Sequence, residues 1–139
     1  MKRKIIGWLV AVSIVLTGIF ISSQFRFLKT YGSSMVPTIQ VGQYAMAKYD
    51  RTDPEKLSVV LIRHHNIWVI KRIIAVPGDP SPLDDPYWEQ DTIPDDYYFV
   101  QGDNLNNSYD SRDFHFGLVH RNEIWGKIRF PKLTNQPIS

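Results

Sequence analysis

Residues 5–22, IIGWLVAVSIVLTGIFIS, hold no charged side chain. A helix of that length spans roughly 27 Å, just enough for the hydrocarbon core of a bilayer. The run is apolar all the way round, whereas a helix packed on a soluble core keeps a polar side. A single anchor of this kind commits the rest of the chain to one face of a membrane. Met1-Lys2-Arg3-Lys4 stands in front of it, and positive-inside bias keeps such a tip cytoplasmic. Everything after Ser23 is then expected outside. The rival reading is a cleaved leader, but such leaders carry an apolar stretch of only about 7–15 residues closed by an Ala-x-Ala-like site, and no such site ends this run. The expected organisation is a cytoplasmic tip over 1–4, a transmembrane anchor over 5–22 and a folded domain over 30–135.

Charge is placed unevenly. Residues 1–29 carry Lys2, Arg3, Lys4, Arg26 and Lys29 and no acid, which leaves eleven bases against fourteen acids in the remainder. A mildly acidic body speaks against nucleic acid, since phosphate backbones require a basic face. There is no cysteine, so a disulfide framework and Cys-ligated zinc are excluded. His64, His65, His115 and His120 form no helical i, i+4 pair, so no zinc site is expected. Neither a metal nor another cofactor is expected.

The body reads as β structure. Residues 24–30 alternate aromatics with bases, which suits a connector at headgroup level. Val41 to Tyr49 alternates as a strand with one buried face. Leu57 to Arg63 is a β-branched apolar run and a second strand, and His64-His65-Asn66 turns the chain. Asn66 to Val76 is a third strand, with Ile67, Val69, Lys71 and Ile73 on one face and Trp68, Ile70, Arg72 and Ile74 on the other. Pro77-Gly78-Asp79-Pro80 ends it. Residues 79–96 hold many acids and prolines and read as a loop. Tyr97 to Val100 is a short strand, Gly102 to Gly117 a polar turn-rich stretch, and Glu123 to Phe130 a last strand. The fold class expected is mainly β, with antiparallel sheet coiled into a partial barrel behind one N-terminal transmembrane helix.

Three stretches offer chemistry. Lys71 sits among Ile67, Val69 and Ile73 on its own face. Burial there disfavours the ammonium and produces an amine neutral enough to act as a general base; the plainer reading is a half-buried face that the lysine stem covers. Ser34 lies in the loop Gly32-Ser33-Ser34-Met35-Val36-Pro37. Such a serine is ordinarily a turn residue, but a tight turn also exposes a hydroxyl and aims backbone N–H groups at a developing oxyanion. The stretch Gly102 to Arg112 is either a solvated turn or a support, in which Asp110 and Arg112 pair and Ser108 hydrogen-bonds an amine. A Ser-His-Asp set using Ser34 is open on order alone, but it leaves Lys71 without a purpose.

Taken together, the three stretches resemble the type I signal peptidases, membrane-anchored Ser-Lys proteases. Gly32 to Ile39 resembles the family's G-x-S-M-x-P-T-L box. Ile70 to Asp79 resembles its K-R-V-x-G-x-P-G-D box. Tyr98 to Asn104, continuing through Arg112 and Gly117, resembles its G-D-N-x-x-x-S-x-D-S-R-x-x-G box. The resemblance covers about residues 30–130, in order and behind an anchor. It implies that Ser34 is the nucleophile, Lys71 the general base, Ser108 the group that orients the lysine, and Asp110 with Arg112 an ion pair that shapes the site. It implies an oxyanion site in the loop of Gly32 and Ser33, served by the backbone N–H of Ser34; some relatives add a serine hydroxyl where Gly32 stands. Ala75 replaces a usual glycine, Leu57-Ser58 stands where a Gly-Asp turn is common, and the segment from Asp79 to Tyr97 is short where larger relatives carry a hairpin or domain.

The implied function is removal of signal peptides from exported preproteins through an acyl-enzyme, with small residues before the cut and no cofactor. The expected partners are preprotein signal peptides and membrane lipid, not nucleic acid. Two alternatives stand beside it: a dedicated processing protease with one or few substrates, and a catalytically silent anchored β-domain that binds a partner.

Overall fold

A computed structural model of the chain describes residues 2–83 and 91–131. Among the described residues, one α-helix, α1 (Lys2–Ser23), precedes seven strands: β1 (Phe25–Lys29), β2 (Tyr44–Tyr49), β3 (Val59–His64), β4 (Ile67–Ala75), β5 (Tyr97–Gln101), β6 (Val119–His120) and β7 (Ile124–Phe130). Residues 4–23 of α1 are long and apolar enough to cross a membrane, and they bury nothing against the body. The strands form one antiparallel sheet in the order β1-β2-β7-β3-β4-β5-β6, which does not close on itself.

The β3–β4 hairpin is the backbone of this sheet. His65 and Asn66 connect it, both at positive φ, 46° and 65°. Two left-handed residues in a row give the turn whose twist matches that of flanking strands. The ladder then runs unbroken from His64↔Ile67 to Val59↔Arg72. β3 is apolar without alternation because both of its faces are covered. Val59 and Leu61 join Met35, Ile39, Ala45, Ala47, Ile70 and Ile128 on one side. Val60 and Ile62 join Ile73, Tyr98, Val100, Phe116, Val119 and Ile124 on the other. Period-two geometry sends Lys71 and Arg72 to opposite sides of β4, and both are buried, 3% and 2% exposed.

Several expectations are corrected. Residues 25–29 are not a connector but an edge strand, paired with β2 from Phe25↔Lys48 to Lys29↔Tyr44. The strand expected from Val41 starts at Tyr44, because Gly42 turns the chain at φ +81° and its N–H donates to the Thr30 carbonyl. β6 and the 3-10 turn Arg121–Glu123 were not anticipated. His64 belongs to the end of β3, not to the turn. It is buried, with Nδ1 2.8 Å from Glu123 Oε1 and Nε2 3.0 Å from the Phe116 carbonyl. In the expected loop of 79–96, Pro80 and Thr92 form an isolated antiparallel bridge; residues 84–90, like the 132–135 end of the expected domain, lie outside the described residues.

Candidate active site

β4 delivers two bases to two different environments. On one side, the Arg72 guanidinium meets the buried Asp103 carboxylate through Nε (2.8 Å) and Nη2 (2.6 Å). Its Nη1 donates to the Leu57 carbonyl at 2.8 Å. The Thr38 hydroxyl donates to the same Asp103 carboxylate. One buried acid thus ties together the segment after Ser34, strand β4 and the loop after β5. A planar guanidinium with two parallel donors suits this bidentate geometry, and a lysine does not reproduce it.

On the other side, Lys71 Nζ donates to Ser108 Oγ at 2.9 Å. The amine lies in an enclosed place, and burial pushes its pKa down from the ordinary 10.5, with the Asp110 charge opposing and the Arg112 charge adding. Asp110 is itself buried, which pushes its carboxyl up, but bonds from Arg112, Ser108 and the Gly102 N–H outweigh that and hold it low. Arg112 grips Asp110 through Nε (2.8 Å) and Nη2 (3.0 Å), and its Nη1 reaches the Leu105 carbonyl at 2.8 Å. The loop from Gly102 to Arg112 is therefore folded around a charge-assisted frame that presents Ser108 to Lys71.

The same loop clamps the serine segment. The Asn104 N–H donates to the Ser34 carbonyl at 2.9 Å. Asn104 Nδ2 reaches the Ser33 carbonyl at 3.1 Å, and Asn107 Nδ2 reaches Ser33 Oγ at 2.7 Å. Ile39 N–H donates back to Met35 carbonyl at 2.8 Å, and Met35 and Ile39 anchor the segment in the core. Ser34 itself is half-buried, while Gly32 is exposed with open space where a side chain would stand. Gly102 is where the parts touch: a Cβ there would run into the Ser34 carbonyl oxygen and the Ser108 hydroxyl and would lie 2.7 Å from Ser108 Cβ. Gly102→Ala is expected to cost about 1–3 kcal/mol by overpacking and to reduce activity at least tenfold, because Ser34 and Ser108 are pushed apart. Denaturant unfolding beside a cleavage assay checks both effects.

A groove of about 210 Å³ runs beside Ser34, walled by Leu28, Tyr31, Met35, Trp68, Val69 and Ile70. β1 forms its outer side, and only one edge of β1 is paired. A larger cavity of about 620 Å³, with Arg26, Tyr49 and Arg63 in its lining, does not include Ser34.

Residues 3–81 and 80–133 match the family described as signal peptidase, peptidase S26. The chain belongs to the signal peptidase family. A probable signal peptidase I-2 of Synechocystis sp. is 32% identical over an alignment of 131 positions that covers 70% of this chain and 59% of that relative. The chain thus spans less than two thirds of the cyanobacterial protein. Signal peptidase IB of Staphylococcus aureus strain COL is 27% identical, with 94% of this chain and 90% of the relative covered. That alignment runs over 175 positions, more than the 139 residues of the chain, so the relative fills positions that this chain leaves out. The break in the family match at residues 80–81 falls at the head of the short 79–96 segment.

All of the expected site residues lie in or beside this cluster: Lys71 bonded to Ser108, Asp110 to Arg112, and Gly32, Ser33 and Ser34 in the clamped loop. Sequence reasoning missed the tie of Arg72, Asp103 and Thr38, and the clamping amides of Asn104 and Asn107. A signal was present for the first. Arg72 falls on a face with Ile70, and an arginine buried on an apolar face needs an acid.

Proposed function

We propose that this chain is a membrane-anchored serine endopeptidase that removes signal peptides from exported preproteins, with Ser34 as nucleophile and Lys71 as general base. The observation that carries the reading is the buried Lys71 amine, 2.9 Å from Ser108 Oγ, beside a loop that holds Ser34 by its backbone. Neutral Lys71 takes the Ser34 hydroxyl proton as Oγ attacks the scissile carbonyl. The backbone N–H of Ser34 supports the oxyanion without a side-chain donor from position 32. Lys71 returns the proton to the leaving amine, and the peptide acyl group stays on Oγ. Lys71 then takes a proton from water, whose oxygen displaces Oγ and frees the acid. Ser108 aims the amine throughout, and the pair of Asp110 and Arg112 keeps Ser108 in place.

The groove by Ser34 fits an extended segment with small side chains, lying along the free edge of β1. The anchor fixes where this happens. Residues 1–4 remain cytoplasmic and residues 30–135 form the catalytic domain on the outer face. Ser34 lies eleven residues past the end of α1, hence at most roughly 36 Å from it at about 3.3 Å per residue. A membrane-spanning signal peptide emerges within that zone.

The test is labelling of Ser34 by a serine-directed acylator across pH. Because burial lowers the Lys71 pKa, its neutral fraction grows as pH rises through a value below 10.5. Labelling is expected to increase with pH, to reach half its maximum below that ordinary lysine value, and to be slow at every pH in Lys71→Met. A rate independent of pH, or equal in the variant, contradicts the assignment. The short 79–96 segment favours a second reading, in which the protease serves few substrates. Cleavage of several unrelated preproteins at similar rates would exclude it.

A further inference from the structure

The 620 Å³ cavity is lined by four arginines, Arg26, Arg51, Arg63 and Arg121. Among the described residues, two acids line it, Asp53 and Glu123. Both are engaged: Asp53 lies 3.3 Å from Arg121 Nε, and Glu123 bonds His64 Nδ1 and the His120 N–H. Arg121 is also satisfied by the carbonyls of Asp50, Thr52 and Ile124. Among the described residues, Arg26, Arg51 and Arg63 have no carboxylate partner. The cavity therefore holds a surplus of fixed positive charge within a body that is otherwise mildly acidic.

These guanidiniums are held by aromatic faces. The Arg26 guanidinium carbon lies 4.4 Å from the Trp68 ring centre and 5.5 Å from that of Trp125, and that of Arg63 lies 5.8 Å from Trp68. Stacking occupies the flat face of a guanidinium and leaves its N–H edge for a ligand. That edge matches the oxygens of a phosphate two at a time. The volume is in the usual range for a small-ligand site, about 300–1,000 Å³.

Position decides the kind of phosphate. Arg26 is the third residue after the end of α1 at Ser23, so it lies within about 11 Å of the helix end. The headgroup layer is roughly 5–8 Å deep on each face, and tryptophan rings favour that depth. We propose that this cleft binds the phosphate of an anionic phospholipid headgroup, gripped by Arg26 and Arg63 against Trp68 and Trp125. Trp68 also walls the groove beside Ser34, so a headgroup seated here lies next to that groove. The proposal concerns binding and is independent of the roles given to Ser34 and Lys71.

The experiment uses the full chain in a neutral detergent, titrated with dihexanoyl phosphatidylglycerol, dihexanoyl phosphatidylcholine, inorganic phosphate or an acidic peptide. Tryptophan emission and the unfolding midpoint are followed. The anionic lipid is expected to shift both saturably, raising the midpoint by about 2 °C or more, and the zwitterionic lipid is not. Arg63→Gln alone should weaken the effect at least fivefold. Arg26→Gln with Arg63→Gln should abolish it, and the corresponding lysine pair should retain part of it. Absence of a shift in the parent, or an equal shift in the double glutamine variant, overturns the site. A full shift from inorganic phosphate alone, or one given by an acidic peptide and not by the lipid, overturns the headgroup assignment.

Discussion

Ser34→Ala and Lys71→Met are each expected to lower preprotein cleavage by about 10⁴-fold or more, and the double variant by little beyond either. Residues that act as one unit are not additive, because removing either already removes the proton transfer that drives attack. Ser108→Ala should cost less, about 10–100-fold, since it leaves the amine present and merely unaimed. The comparison is informative only if the fold survives, and for Lys71 the expected direction is known. The unfolded chain keeps the lysine proton up to the ordinary value, while the folded chain releases it earlier. The fold therefore gains stability as pH rises from the folded value to the ordinary one, and below that window it carries an unfavourable buried cation. Lys71→Met removes that burden, so at neutral pH it should be at least as resistant to urea as the parent. A variant that unfolds more easily and is inactive for that reason, or one that still cleaves, contradicts the assignment.

Asp103→Ala should be the most damaging change outside the reacting groups, costing about 3–5 kcal/mol. It leaves the Arg72 guanidinium buried at 2% exposure without its acid and frees the Thr38 hydroxyl. That is a large share of a domain's total stability of about 5–15 kcal/mol. A paired replacement, Arg72→Met with Asp103→Leu, separates two effects. An apolar pair of similar volume restores stability in many proteins, so the double variant should unfold nearly as late as the parent. Its acylation rate should nevertheless stay depressed, because Thr38 no longer fastens the segment after Ser34. A cost below about 1 kcal/mol for Asp103→Ala would show that the tie contributes little.

What could be read from sequence follows from how local each signal is. The long apolar helix, the hairpin around Lys71 and the turn at His65-Asn66 are written in contiguous residues, and contiguous patterns survive folding. The boxes around Ser34, Lys71 and Ser108 carried enough local identity to be aligned with a family. The pairing of Arg72 with Asp103 joins residues 31 apart, and neither residue alone announces its partner. β1 escaped for another reason. An edge strand is paired on one side only, and its exposed charges and aromatics protect the free edge, so FRFLK lacks the burial contrast that marks a strand. The end of β3 was misjudged because His64 is polar in isolation, yet both ring nitrogens find partners inside.

The knot of Thr38, Arg72 and Asp103 also has a bearing on time. The three residues leave the ribosome in that order. Until Asp103 arrives, Thr38 and Arg72 lack the carboxylate that joins them, and the loop that brings Ser108 to Lys71 follows Asp103 directly. A chain made only as far as Arg72 therefore holds the Ser34 hydroxyl and the Lys71 amine without the frame that presents Ser108 to Lys71. The clasp that joins the segment after Ser34 to β4 thus closes only once Asp103 has been made.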